Sequence, residues 1–129
     1  MEFSNKKEMR RYLKSYKWYY DRLEDLESRY LPQSPAFSNG AHSTASRSKS
    51  SILLRDMAKK EELVKAMKEI SDFIKQIDDD VFSYTVVDEY FTEFKTHEDI
   101  ANVHGLSLSS IQKYYDRGMR KLFKLSKKQ

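Results

Sequence analysis

The run from Thr96 to Ile111 restricts what this chain can fold into more than any other segment. It reads as a short amphipathic helix, a tight turn at Gly105, and a second helix capped by Ser107. Ala101 leaves room for the second helix to cross closely, and Gly105 can take the positive backbone angle that such a turn requires. Ile100, Leu106 and Ile111 are the apolar anchors. Small residue, turn glycine and anchor fall four and then six residues apart, the spacing of a helix-turn-helix. A unit of this kind usually delivers its second helix into a DNA major groove.

The rest of the chain supplies helices for this unit to stand on. Residues 5–30 carry Met9, Tyr12, Tyr16, Tyr19, Leu23, Leu26 and Tyr30 at steps of three and four, which predicts one helix with a continuous seam. The Tyr16–Tyr20 stretch also offers aromatic rings between bases, a pattern suited to nucleic-acid stacking, but seam spacing accounts for most of the tyrosines. Trp18 lies off that seam. Pro32 and Pro35 stop the helix, and residues 31–50 read as a flexible linker rich in Pro, Ser, Asn and Gly. A second long helix is predicted over 51–77, with Ile52, Leu53, Met57, Leu63, Met67, Ile70, Ile74 and Ile77 as its stripe. Two such helices joined by a loose connection predict an antiparallel hairpin, and stripes left uncovered predict recruitment of a second chain.

Asp78–Asp80 breaks the pattern and can cap a helix over 80–94, since carboxylates accept its free backbone N–H groups. In the last helix, about 108–124, Ile111, Tyr115, Gly118 and Leu122 form an inward face. A glycine there costs about 1 kcal/mol relative to Ala, so Gly118 predicts close approach by another helix. The expected fold is all-α: a long N-terminal helical hairpin (1–30 and 51–77, joined by the 31–50 linker), then a trihelical helix-turn-helix domain within 78–129.

Composition narrows the function. No stretch approaches the roughly 18 apolar residues of a membrane span, the first residues lack the apolar centre of a signal peptide, and there are no cysteines. A cytoplasmic protein without a membrane partner is expected. The net charge of +4 hides a strong asymmetry. Residues 78–99 hold eight acids against Lys95, whereas residues 105–129 hold seven bases against Asp116. A basic final helix suits phosphate, although a solvated helix with a basic tail has the same charge.

On that helix the outward positions are Ser109, Ser110, Gln112, Lys113, Asp116, Arg117, Arg120 and Lys121. Gln112 can pair with adenine, and Lys113 or Arg117 with guanine. Arg120, Lys121, Lys124, Lys127 and Lys128 lie further along and suit phosphates. Asp116 can accept from cytosine or pair with Arg120 four residues on, the pairing being the simpler role. Thr96 and His97 can meet phosphate through helix-start N–H groups, but Thr96 with Asp99 also fits an ordinary capping arrangement.

Other chemistry finds little footing. His97 and His104 stand about 10 Å apart along a helix axis, too far to share one metal. Asp78–Asp80 lacks the second cluster a magnesium site needs, so no metal is expected. Phosphate-binding glycine loops and nucleophile arrangements are absent from the sequence, and neither a cofactor nor an enzyme activity is expected.

The motif Glu98-Asp99-Ile100-Ala101, Gly105-Leu106-Ser107, Ser110-Ile111 and Gly118–Leu122 resembles region 4 of bacterial sigma factors and the trihelical DNA-binding domains of response regulators. The whole layout is similar to small regulators of Gram-positive phages and prophages, the ArpU-type and RinA-like late-transcription regulators. The resemblance departs at His104, where an aliphatic residue is usual, and at Tyr114 and Tyr115, which add bulk. It implies a sequence-specific regulator of transcription that binds double-stranded DNA. The N-terminal helices would form a homodimer or contact RNA polymerase. The alternatives are a small terminase subunit for phage DNA packaging, or a protein-interaction module that inhibits a host factor through the acidic 78–99 segment.

Overall fold

A computed structural model describes residues 2–29 and 46–128, with side chains over 2–29 and 53–127. The described residues are helical throughout, with no strand among them: α1 (Lys6–Ser28), α2 (Ser46–Ile74), a single 3-10 turn (Lys75–Ile77), α3 (Val81–Thr92), α4 (His97–His104) and α5 (Leu108–Lys128). No helix is long and apolar enough to cross a membrane among these residues.

Asn5 opens α1, its side chain accepting the Glu8 N–H at 2.8 Å. Helices α1 and α2 run antiparallel. Phe3 and Tyr12, at the start of α1, meet Phe73 at the end of α2 through edge-on ring contacts 5.8 Å apart. At the other end Arg29 reaches Asp56 at 3.4 Å and Glu27 reaches Lys60 at 3.3 Å. Met9, Leu13, Ile70 and Ile74 are completely buried between them and the C-terminal helices.

Helix α2 departs from expectation at both ends. It begins at Ser46 instead of 51, because Ser46–Ser50 contains neither proline nor glycine to stop a helix extending backwards. The part of the expected linker over 31–45, with Pro32 and Pro35, lies outside the described residues, as do Tyr30 of the expected first helix and the Ile52 side chain. The expected start of the apolar stripe is not core: Leu53 and Met57 only line an open groove with Leu26 and Glu27 of α1. Asp56 takes the buried position facing Arg29, and Leu53, Leu54, Met57 and Val64 stay exposed. The helix tightens into its 3-10 turn at Lys75, where Ile77 is still core.

Helices α3, α4 and α5 pack around Val86, Val87, Phe91, Ile100, Ile111 and Leu122. Gly118 explains how closely α5 lies against α3. A Cβ there would stand 2.7 Å from Val87 Cγ2 and 3.3 Å from the Ser83 carbonyl. Phe94, between α3 and α4, has a positive φ of 60°, a strained choice for a bulky residue. Its ring docks on α1 against Tyr16 and Tyr20, with the Lys17 ammonium 5.3 Å from its centre. That contact ties the C-terminal helices to the N-terminal pair.

Candidate nucleic-acid interface

The start of α4 is closed by its own residues. Thr96 Oγ1 accepts the Asp99 N–H at 3.1 Å, and Asp99 Oδ2 accepts the Thr96 N–H at 3.2 Å. This reciprocal cap removes the Thr96 amide from any phosphate. The His97 ring packs edge-on to Tyr90 and tilted against Tyr115, with centroids 4.8 and 4.9 Å away. Burial holds its pKa below the ordinary value, partly offset by Asp116.

At the other end of α4, Gly105 sits in the left-handed region with φ 66° and donates its N–H to Ala101 O. Leu106 N–H also donates to Ala101 O, at 3.0 Å. The chain then turns into α5, where Ser107 Oγ accepts the Ser110 N–H at 3.2 Å. Ser109 and Ser110 join Ser107 in a hydroxyl cluster, with Oγ separations of 3.2 and 2.9 Å. Ala101, Ile100 and Ile111 are buried at the crossing, with Leu106 packed alongside.

Beyond this start, α5 divides its polar residues into two groups. Gln112, Lys113, Asp116, Arg120 and Lys124 are exposed, and among the described residues no ion pair engages Lys113, Arg120 or Lys124. Asp116 does not pair with Arg120, so the simpler role expected for it is not taken up among the described residues. Arg117 and Lys121 belong to the second group, on the flank facing α3. Arg117 Nε lies 2.8 Å from Asp80 Oδ2 and donates to Ser83 Oγ at 3.0 Å, while Lys121 Nζ lies 3.1 Å from the same carboxylate. The guanidinium also covers Tyr114, which stacks on Phe82 at 5.3 Å.

Asp80 therefore has two duties, because its carboxylate also accepts the Ser83 N–H and caps α3. Burial alone would raise its pKa. The hydrogen bonds from Arg117, Ser83 and Lys121 overcome that and hold it well below the usual carboxylate range.

A second polar group holds α4 on α3. Glu89 is buried, with Lys95 Nζ 2.7 Å from one oxygen and His104 Nε2 2.6 Å from the other. An ionised carboxylate only accepts, so the Nε2–H form of His104 is the donor. Burial pushes the Glu89 pKa up, and the Lys95 and His104 bonds bring it below the ordinary value. His104 is thus a tether between α4 and α3.

Sequence reasoning identified the exposed cations of α5 but missed both tethers. Asp80 and Arg117 are 37 residues apart, and no local pattern links them. Glu89 and His104 are 15 residues apart on different helices, so local spacing does not join them either. No group of three His, Cys, Asp or Glu side chains that could hold a metal exists among the described residues. No protein-family model, curated protein or solved structure matches the chain.

Proposed function

We propose that the chain is a sequence-specific, double-stranded-DNA-binding regulator of transcription, cytoplasmic and encoded by a phage or prophage. In this reading α4 and α5 act as a helix-turn-helix, and α5 enters the major groove. The observation that carries it is the combination of the left-handed Gly105 turn with an outer face of α5 whose Lys113, Arg120 and Lys124 have no ion-pair partner among the described residues. A charged face without protein partners is available to phosphates and base edges.

Roles divide along the helix. Ser109, Ser110, Gln112 and Lys113 stand at its start, where base edges are reached, and Arg120 and Lys124 meet the backbone. Arg117 and Lys121 hold α3 against α5 through Asp80 and reach phosphates only by leaving it. Thr96 is spent on its cap, leaving the His97 amide for a phosphate contact at α4. The exposed Leu53, Leu54, Met57 and Val64 of α2 support a homodimer through the N-terminal helices, with RNA polymerase as the other candidate for that surface.

The test is a mobility-shift titration of the full chain with duplex DNA selected from a random library. Lys113→Gln with Arg120→Gln is expected to weaken binding at least tenfold without changing helicity. Equal binding by the variant and the wild type overturns the assignment of the face.

A further inference from the structure

Charge on α1 is as unevenly divided as charge on the C-terminal half of the chain. Residues 6–17 hold Lys6, Lys7, Arg10, Arg11, Lys14 and Lys17 against Glu8, whereas residues 21–28 hold Asp21, Glu24, Asp25 and Glu27 against Arg22. Lys7, Arg10, Lys14 and Lys17 follow one another at steps of three and four, so they share a face of the helix and span about 15 Å. All four are exposed.

That face is fixed beside the α3–α4 junction and α5. The Arg10 guanidinium lies within electrostatic reach of the Tyr115 phenol on α5. Lys17 lies over Phe94, and Lys14 lines a groove with Tyr90, Phe94 and Thr96 at the start of α4. Of the carboxylates around the row, Glu8 is engaged with Ser4, Asp21 with Lys17 and Asp99 with Thr96, while Asp116 lies within electrostatic reach of His97 and Tyr115. Lys7 and Lys14 have no ion-pair partner among the described residues.

We infer that the Lys7, Arg10, Lys14 and Lys17 row on α1 binds the sugar-phosphate backbone of duplex DNA, next to the segment that α5 reads. The inference rests on the helix-turn-helix reading above, in which the first helix of the unit crosses the backbone beside the groove entered by the second. The row stands next to the start of that first helix. Its length matches about four successive phosphates of one strand, at about 3.4 Å of helix axis each. The N-terminal helix would thus widen the footprint with contacts that carry no sequence preference.

The experiment compares the salt dependence of binding for the wild type, Lys7→Gln with Lys14→Gln, and Lys113→Gln with Arg120→Gln. Each protein is titrated on a duplex of about 30 base pairs and on one of about 10, one helical turn. Loss of two phosphate contacts is expected to lower the slope of log affinity against log salt by about 2 for the α1 variant. That loss appears on the long duplex alone, with the preferred sequence unchanged. The single variants Lys7→Gln and Lys14→Gln each lower it by about 1 and guard against a folding defect in the pair. An unchanged slope for the α1 variants, with binding still lost on substitution of Lys113 and Arg120, overturns the α1 contact and leaves the α5 reading standing. Failure of the wild type to hold either duplex overturns both.

Discussion

Arg117 Nε lies 2.8 Å from Asp80 Oδ2, joining the middle of α5 to the residue that caps α3. The pairing sets Arg117 apart from Lys113 and Arg120, although all three are basic and exposed on the same helix. It also makes Arg117→Ala a poor probe of DNA contact, since the change loosens the packing of α3 along with any phosphate bond.

Asp80→Asn keeps an acceptor for the Ser83 N–H but removes the charge that holds Arg117 and Lys121. The pair is half open to solvent, so the expected loss at pH 7 is about 1 kcal/mol in urea unfolding. The native pKa is depressed, so the stabilisation is complete above the ordinary Asp value of about 3.9 and fades as pH falls towards the native one. The gap between variant and wild type therefore narrows below about pH 4. Freed from Asp80, Arg117 and Lys121 are expected to strengthen DNA retention at low salt.

Gly118→Ala sets two effects of opposite sign against each other. Helix propensity favours Ala by about 1 kcal/mol. The new Cβ, however, meets Val87 Cγ2 at 2.7 Å and the Ser83 carbonyl at 3.3 Å, neither of which is the end of a flexible chain. Overpacking of about 1–3 kcal/mol outweighs the gain, and thermal unfolding is expected to show net destabilisation. In a Val87→Ala background the same substitution should cost less, because the clashing methyl is gone.

Glu89→Gln weakens the bonds to Lys95 and His104 and is expected to cost about 1–2 kcal/mol. The effect should concentrate in α4, read as faster hydrogen exchange of the His97–His104 amides. The native pKa of Glu89 is lowered, so this tether is whole above about pH 4.3 and is lost as acid protonates it.

Tyr12→Phe should act in the opposite direction. The Tyr12 hydroxyl is buried without a hydrogen-bond partner among the described residues, and burial, with the nearby Glu69 and Tyr19, pushes its pKa up to about 12. Removing the hydroxyl leaves the Phe3 and Phe73 ring contacts intact and is expected to stabilise the chain by about 1 kcal/mol.

Features set by local rules were legible in the sequence. The Thr96–Asp99 cap, the left-handed Gly105, the Ser107 cap and the inward Gly118 each follow from a residue type at a fixed spacing. Features set by distant partners were not. Nothing near Asp56 says that it, rather than Met57, is the buried one; that depends on where Arg29 ends up. The positive φ of Phe94 likewise depends on the aromatic surface of α1 that receives its ring. The exposed face of α5 was readable because it is what remains after the inward stripe is assigned, whereas its division into free and tethered cations required α3 to be in place.

Whether the outer face of α5 reads duplex DNA, as proposed, is decided by selection of the full chain against a random duplex library at about 0.15 M salt. The expected result is an enriched motif that is held by the wild type and lost with Lys113→Gln and Arg120→Gln. Retention that is blind to sequence and vanishes as salt rises would contradict it.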